Sequence, residues 1–165
     1  MNILEKSLPL EVGQHGIAII EKNENNGEQS LISNQDYQKG DLISTFSAGT
    51  ISTNPTYLTV QTGENIHITL EPEFLQYINH SCDPNVFFDT TSMQLIALKD
   101  ISKGDEFVFF YPSTEWKMTQ PFNCYCESLN CIKNIEGAYA LSPSIIQNYR
   151  FTDFIKQKLA NLPLK

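Results

Sequence analysis

The chain has 165 residues, of which 41% are hydrophobic and 11% aromatic, a composition that predicts one globular domain and argues against disorder. Its formal charge of −8 argues against direct nucleic-acid binding, which depends on Lys and Arg. The same charge favours cationic partners, unless it serves solubility alone. Apolar runs are too short to cross a bilayer, and we see no secretory signal. We therefore expect no membrane association and an intracellular, cytoplasmic location (nuclear if the source is eukaryotic).

The first part of the chain predicts short strands and turns. Residues 12–20 combine a glycine turn with an apolar run, and residues 23–29 are polar and typical of a surface loop. A turn then leads into a predicted strand at residues 42–46. Residues 66–70 alternate apolar and polar side chains, which predicts a half-buried strand. Residues 72–77 predict one short helical turn that begins with proline.

The second part of the chain predicts a hairpin and a terminal helix. Residues 86–89 and 93–98 flank a polar turn, as hairpin strands do. Ser142 followed by Pro143 predicts a helix start, and the helical spacing that follows is interrupted near residues 151–152. Many short strands with few helices indicate a mostly-β domain of the α+β class.

Residues 77–85, Tyr-Ile-Asn-His-Ser-Cys-Asp-Pro-Asn, are the most informative stretch. An apolar strand follows and ends at Tyr111. Beyond it stand three cysteines with Cys-x-Cys-x4-Cys spacing: Cys124, Cys126 and Cys131. In this order, the three motifs resemble the SET-domain family with its post-SET tail, over residues 12–141.

The resemblance implies a fold and an activity. SET proteins are built from small curved sheets with a pseudoknot-like threading of the carboxyl-terminal segment. They transfer a methyl group from S-adenosylmethionine to an amine, usually a lysine side chain. By this match we expect a SET domain at residues 1–118, a zinc-stapled post-SET segment at 119–141, and a short helical extension at 142–165.

The four cysteines suit one zinc ion, because four thiolates complete a tetrahedral structural site. The resemblance implies that Cys82 is the fourth ligand beside the three post-SET cysteines: Cys124, Cys126 and Cys131. The alternatives are two disulfides, with three pairings to choose from, or free thiols. An intracellular location disfavours the disulfides.

The resemblance also implies which residues hold the methyl donor. An early glycine turn at Gln14, His15 and Gly16 matches the family position whose main chain contacts the donor, although most such turns only reverse the chain. Asn79 and His80 match the pair that contacts the donor in the family; otherwise they are a turn residue and a core histidine. The aromatic candidates, which packing alone also explains, are Trp116, Phe122 and Tyr111.

Catalysis is expected at Tyr111, which the resemblance identifies as the catalytic tyrosine. Its hydroxyl would orient the acceptor amine, which must be neutral to react and which an apolar channel helps to deprotonate. The alternative is a strand-end tyrosine that reaches water. Phe109 stands where the family tunes the number of methyl groups, and phenylalanine there implies di- or trimethylation. Tyr57 resembles an aromatic residue of the lysine channel.

Three positions depart from the family pattern. Gln76 and Tyr77 replace an Arg-Phe pair, Phe110 replaces the aspartate before the catalytic tyrosine, and no glycine follows shortly after Cys131. None of these positions is assigned a catalytic, donor-binding or zinc-binding role. They indicate a divergent, compact member of the family and weaken any inference about its substrate.

Three functions follow from these observations. The leading one is methylation of lysine side chains in proteins. The second is methylation of small amines such as polyamines, which extra carboxylates inside the channel would favour. The third is a catalytically silent zinc-binding interaction module, which the joint presence of Tyr111, Asn79 and His80 disfavours. The oligomeric state stays open.

Overall fold

The structure is a computed structural model that describes residues 17–163. Within these residues the chain forms twelve short strands: β1 Ala18–Lys22, β2 Gln29–Ser33, β3 Leu42–Thr45, β4 Ser47–Ser52, β5 Val60–Gly63, β6 Ile66–Glu71, β7 Asn79–His80, β8 Val86–Asp89, β9 Gln94–Ala97, β10 Val108–Phe109, β11 Phe122–Asn123 and β12 Asn134–Ile135. Two α-helices follow near the carboxyl terminus, α1 Pro143–Ile146 and α2 Asp153–Ala160. Short 3₁₀ helices occupy Glu73–Tyr77, Tyr111–Ser113 and Ala138–Ala140.

The strands are arranged in five small sheets. Three are antiparallel pairs or triplets, β1–β2, β3–β9–β8 and β4–β6–β5, and a fourth pairs β11 with β12. The fifth pairs β7 with β10 in parallel. Small sheets with few helices confirm the predicted mostly-β, α+β architecture.

Most predicted elements are present. The polar residues 23–29 connect β1 to β2 as a surface turn, the predicted strand at 42–46 is β3, and the predicted hairpin is β8–β9. The proline-led turn at 72–77 is a 3₁₀ helix. Strand β4 escapes prediction because most of its residues are exposed, so its sequence carries no apolar alternation.

Strand β6 is present, but the prediction that its apolar residues share one buried face is wrong at one end. Ile68 and Leu70 are buried as expected, whereas Ile66 is 45% exposed and His67 is buried. Ile66 begins the strand opposite Gly63 at the tip of the β5–β6 hairpin. The sheet therefore leaves this terminal side chain open to water.

The segment that leads to Tyr111 runs between two other parts of the chain. On one side the amide of Phe107 donates to the carbonyl oxygen of Leu31 in β2, at 2.8 Å. On the other side β10 pairs with β7, with Phe109 opposite His80. Phe107 and Leu31 are fully buried in the main core. This central placement fixes the backbone just before Tyr111.

The carboxyl-terminal region forms two helices with the predicted interruption between them. Ser142 stands at the start of α1, but its hydroxyl contacts that of Ser144 at 3.0 Å instead of capping the helix. Thr152 caps α2 by accepting from the amide of Ile155 at 3.3 Å. Among the described helices, none is long and apolar enough to cross a membrane.

Candidate active site and cysteine cluster

The loop at residues 77–85 is tied to the strand that ends at Tyr111 by two asparagines. Asn79 donates to the carbonyl oxygen of Gln29 at 2.9 Å and to Oε1 of Glu106 at 3.1 Å. Asn85 donates to the carbonyl oxygen of Glu106 at 2.8 Å and accepts from the amide of Val108 at 2.9 Å. The amide hydrogens of Asn79 therefore serve the fold, and its Oδ1 is the atom left for a ligand. The positioning role of Asn85 was missed, although the motif itself contained it.

His80 connects Tyr111 to the first cysteine. Its Nδ1 accepts from the amide of Tyr111 at 3.1 Å, so the proton of the neutral ring belongs on Nε2. That nitrogen faces Sγ of Cys82 at 3.5 Å. Burial lowers the pKa of His80 to about 4, which keeps the ring neutral at neutral pH. The rings of Tyr111 and Phe122 lie 5.1 and 5.6 Å from it.

The predicted strand ends at Phe109 and not at Tyr111, which begins the 3₁₀ helix two residues after β10, with its ring among aromatic neighbours. The ring centroid lies 4.7 Å from that of Phe109. Its hydroxyl makes a long contact of 3.4 Å with the carbonyl oxygen of Ile78, beyond the usual range for such a bond. Burial, with the nearby charges of Glu106 and Glu115, raises the pKa of Tyr111 to about 12. The phenol therefore keeps its proton at neutral pH and has hydrogen-bonding capacity to spare.

A cavity of about 340 Å³ opens beside Tyr111. Phe109 lines it together with apolar side chains of the main core: Leu70, Leu75, Ile78 and Phe88. Residues 56–60 form one further wall, and residues 118–122 form another. The cavity therefore has an apolar wall that includes the Tyr111 ring, and polar side chains complete its lining: Thr56, Thr59, Gln76, Thr114, Thr119 and Gln120.

The residues predicted for the site fall in different places. Tyr57 and Phe122 line the cavity, and Tyr57 is 82% exposed. Trp116 is not among the cavity-lining residues and lies near Tyr139, with the ring centroids 6.4 Å apart. Its predicted donor contact stays a prediction. The predicted glycine turn, Gln14, His15 and Gly16, lies outside the described residues.

Glu115 lines the same cavity and was missed from the sequence. Its Oε2 accepts from the amide of Gln61 in β5 at 3.0 Å. Burial raises the pKa of Glu115 to about 7. Hydrogen bonds from Gln61 and Thr114 stabilise the anion and offset part of this increase. The available signal was an acidic residue four positions after Tyr111, one helical turn further along the chain.

The four cysteines meet in space as predicted. Their sulfur atoms all lie within 4.8 Å of one another, and those of Cys82 and Cys124 are 3.9 Å apart. Four sulfurs around one zinc ion at ~2.3 Å would be separated by ~3.8 Å. All four are free thiols, so the disulfide alternative is wrong. Burial raises the pKa of the Cys82 thiol, so a metal ion would have to displace its proton.

Two side chains outside the motifs support the cysteine loop. The hydroxyl of Tyr149 donates to the carbonyl oxygen of Cys82 at 2.7 Å, and Nδ2 of Asn130 donates to the same oxygen at 3.0 Å. No local pattern in the sequence indicates this role of Tyr149. The carboxyl-terminal extension thereby contacts the loop that carries His80.

Comparisons with known proteins agree with this geometry. Residues 17–112, more than half of the chain, match the SET domain family. The chain is 41% identical over 123 residues to Methyltransferase flvH of Aspergillus flavus, covering 73% of this chain and 68% of that protein. It is 33% identical over 87 residues to a histone-lysine N-methyltransferase, H3 lysine-36 specific, of Saccharomyces cerevisiae, covering 49% of this chain and 12% of that protein.

A solved structure shows the same fold. The crystal structure of KRYPTONITE in complex with mCHG DNA and SAH superposes with a TM-score of 0.55 at 22% identity, covering 70% of this chain and 28% of that one. The chain thus spans only a small part of the yeast enzyme and of this structural neighbour. The match over residues 17–112 and the 41% identity to Methyltransferase flvH place the chain in the SET-domain family of methyltransferases.

Proposed function

We propose that the protein is an S-adenosylmethionine-dependent N-methyltransferase whose acceptor is the side-chain amine of lysine in proteins. The observation that carries the proposal is the apolar cavity beside Tyr111 and Phe109, one strand away from Asn79 and His80. Relatives named as histone-lysine N-methyltransferases support the lysine acceptor. Direct nucleic-acid binding is not part of the proposal, given the net charge of −8.

The chain's own residues favour transfer by desolvation and alignment. S-adenosylmethionine supplies a methyl group on a positively charged sulfur. The amine nitrogen forms a bond to that methyl carbon while the carbon–sulfur bond breaks, and the amine's proton passes to solvent. The apolar lining near Phe109 lowers the pKa of a bound ammonium and excludes water. The protonated Tyr111 hydroxyl orients the amine.

The donor would be held beside Asn79 and His80 of β7, close to Phe122, which also lines the cavity. Oδ1 of Asn79 has free hydrogen-bonding capacity, and Phe122 offers an aromatic face near His80. We propose these three residues as donor contacts, together with the predicted glycine turn and Trp116. Phe109, only 8% exposed, carries no hydroxyl to hold a water against the amine, which supports di- or trimethylation.

We propose that the four cysteines hold one structural zinc ion and that residues 119–141 form a post-SET unit around it. The sulfur separations support this assignment. Residues 1–118 and 142–165 would then be the SET domain and its helical extension, and an intracellular location would keep the thiols reduced. Metal analysis of the purified protein should give about one zinc per chain. A value near zero with intact thiols would refute the assignment.

A small free amine is the second candidate acceptor. The observation that favours it is Glu115, because a carboxylate inside the cavity suits a substrate with an additional positive charge. Labelled methyl donor incubated with lysine-rich proteins, and separately with polyamines, distinguishes the two acceptors. Labelling of proteins alone supports the first, and labelling of polyamines alone supports the second. Labelling of neither, with no donor binding, would leave only a silent zinc-binding module.

A further inference from the structure

The cavity beside Tyr111 has an unbalanced charge. Of the side chains that line it within residues 17–163, Glu115 has the only carboxyl group, which is partly ionised at pH 7 and largely ionised at pH 8, and no Lys, Arg or His is among them. The rest of the lining is apolar or neutral. A negative charge in such surroundings attracts cations, because no cationic side chain of the lining compensates it.

The carboxylate of Glu115 is held in a fixed position. It accepts from the amide of Gln61, and the side-chain oxygen of Gln61 accepts in return from the amide of Trp116 at 3.0 Å. Nε2 of Gln61 donates to the carbonyl oxygen of Gly63 at 3.1 Å. Because the group is already ordered, a ligand that binds it loses little additional conformational entropy in the protein.

A purely structural role does not account for Glu115. The bonds from Gln61 and Thr114 occupy two of about four acceptor positions on the carboxylate. Among the described residues, the ion pairs join other groups, and none includes Glu115. A glutamine would accept the same bond from Gln61 without the cost of burying a charge. The charge itself therefore calls for a positively charged ligand.

Glu115 lies one helical turn from the reacting centre. Its amide donates to the carbonyl oxygen of Tyr111 at 3.1 Å, and both side chains line the one cavity. Between and around them stand apolar side chains, including Leu75 and Phe88. A volume of about 340 Å³ falls in the range of small-molecule sites. A cavity of this volume admits a short aliphatic diamine.

We infer that Glu115 determines acceptor specificity by binding a second ammonium of a small aliphatic amine whose first amine faces Tyr111. The inference rests on the proposed N-methyltransferase activity only for the fate of that first amine, and of the two candidate acceptors it favours the small free amine over protein lysine. A lysine within a protein has an amide in place of its α-amine and brings no second ammonium on the same chain. A free diamine or free lysine brings one.

The test measures binding, which needs no reaction. The full-length protein with S-adenosylhomocysteine is titrated calorimetrically at pH 8 with 1,5-diaminopentane and with 1-aminopentane, which share one chain length. The wild type should bind the diamine about 10-fold more tightly, as expected for one charge-assisted hydrogen bond. Glu115→Gln should bring the two affinities within about twofold of each other. Equal affinities in the wild type, or an unchanged ratio in Glu115→Gln, would overturn the inference.

Glu21→Gln is the matched control, since it removes one charge from an exposed position on β1. It should leave the 10-fold ratio intact. Loss of the ratio in this control as well would show a general charge effect and overturn the role of Glu115. If Glu115→Gln does not fold, the ratio of the wild-type affinities for the diamine and the monoamine decides by itself. Equal affinities would show that the wild type has no binding site for a second ammonium.

Two further ligands identify the source of that ammonium. Free lysine should bind more tightly than lysine with an acetylated α-amine and an amidated carboxyl group, and equal binding of the two would contradict the inference. The diamine and free lysine then differ only in the α-carboxylate, so their ranking names the better acceptor class. If methylation occurs but does not depend on Glu115, the inference about Glu115 is wrong and the proposed function stands. Diamine binding that depends on Glu115 without any methyl transfer refutes the proposed function alone.

Discussion

The ring of Phe110 stacks flat on the ring of Tyr149, with centroids 3.7 Å apart and planes at 7° to each other. Tyr149 in turn donates its hydroxyl to the carbonyl oxygen of Cys82. Phe110 is buried in a second core with Phe151 and Ile155 of the carboxyl-terminal region. The departure from the family's aspartate therefore has a physical reason, because this position packs the extension against the site.

Restoring the family residue should destabilise the protein. Phe110→Asp would place a carboxylate in an apolar cluster, where burial without a partner is costly. We expect the free energy of unfolding to fall by about 3–5 kcal/mol in urea titrations. Phe110→Leu, which keeps the site apolar and loses only the stacking, should cost about 1.5 kcal/mol or less. Equal stability of Phe110→Asp and the wild type would contradict this account.

Lys133 explains the missing glycine of the post-SET tail. Its φ of +69° lies in the left-handed region, and its carbonyl oxygen accepts from the amide of Cys124 at 2.6 Å. A side chain in this conformation costs about 1–2 kcal/mol. We expect Lys133→Gly to raise the free energy of unfolding by about 1 kcal/mol.

Lys103→Gly is the control for Lys133→Gly, because Lys103 is exposed and is not among the described residues with positive φ. It should give no stabilisation, since glycine increases the entropy of the unfolded chain without relieving strain. Stabilisation of both variants by the same amount would show that loss of the lysine charge is responsible.

Glu115 should make stability depend on pH. Its pKa is about 7 in the folded protein and about 4.3 in an unfolded chain, so between these values the folded state binds more protons. The contribution of Glu115 to the free energy of unfolding should therefore decrease as the pH rises from 4.5 to 7. Thermal melts of the wild type minus those of Glu115→Gln should show this decline. A flat difference across the window would contradict the burial of a charged Glu115.

Phe109 should control the number of methyl groups added. The side chain lines the cavity and packs between Phe88 and Tyr111, with ring centroids 4.8 and 4.7 Å away, so a hydroxyl added to it would place a polar group in the lining next to Tyr111. Phe109→Tyr should shift products towards monomethylation, as read by mass spectrometry of the acceptor. An unchanged product distribution would refute this role.

The sequence predicted which residues of the candidate site lie close together because they are concentrated in short motifs. The ordered spacing of Asn79, His80, Cys82 and Tyr111 was sufficient to expect that they converge, and the structure brings them together through the β7–β10 pair. The four-cysteine cluster followed from the same order. Strands with clear apolar patterns, such as β8 and β9, were predicted for the same reason: their residues are mostly buried.

The remaining features depend on tertiary contacts that leave no local pattern. The position of Glu115 in the cavity, with no cationic side chain beside it in the lining, depends on the folded structure and leaves no pattern in the sequence. Tyr149 followed helical spacing, and its bond to Cys82 joins residues 67 positions apart. The exposure of Ile66 reflects its place at a hairpin tip, which alternation alone does not reveal.

The central claim is methyl transfer to an amine at Tyr111, and one assay tests it most directly. Transfer from labelled S-adenosylmethionine to lysine-rich protein and to 1,5-diaminopentane is measured for the wild type and for Tyr111→Phe, with the exposed Tyr125→Phe as control. The account predicts transfer by the wild type and the control, and a loss of about 100-fold in kcat for Tyr111→Phe with donor binding retained. Absence of transfer to any amine by the wild type, or full activity of Tyr111→Phe, would contradict it.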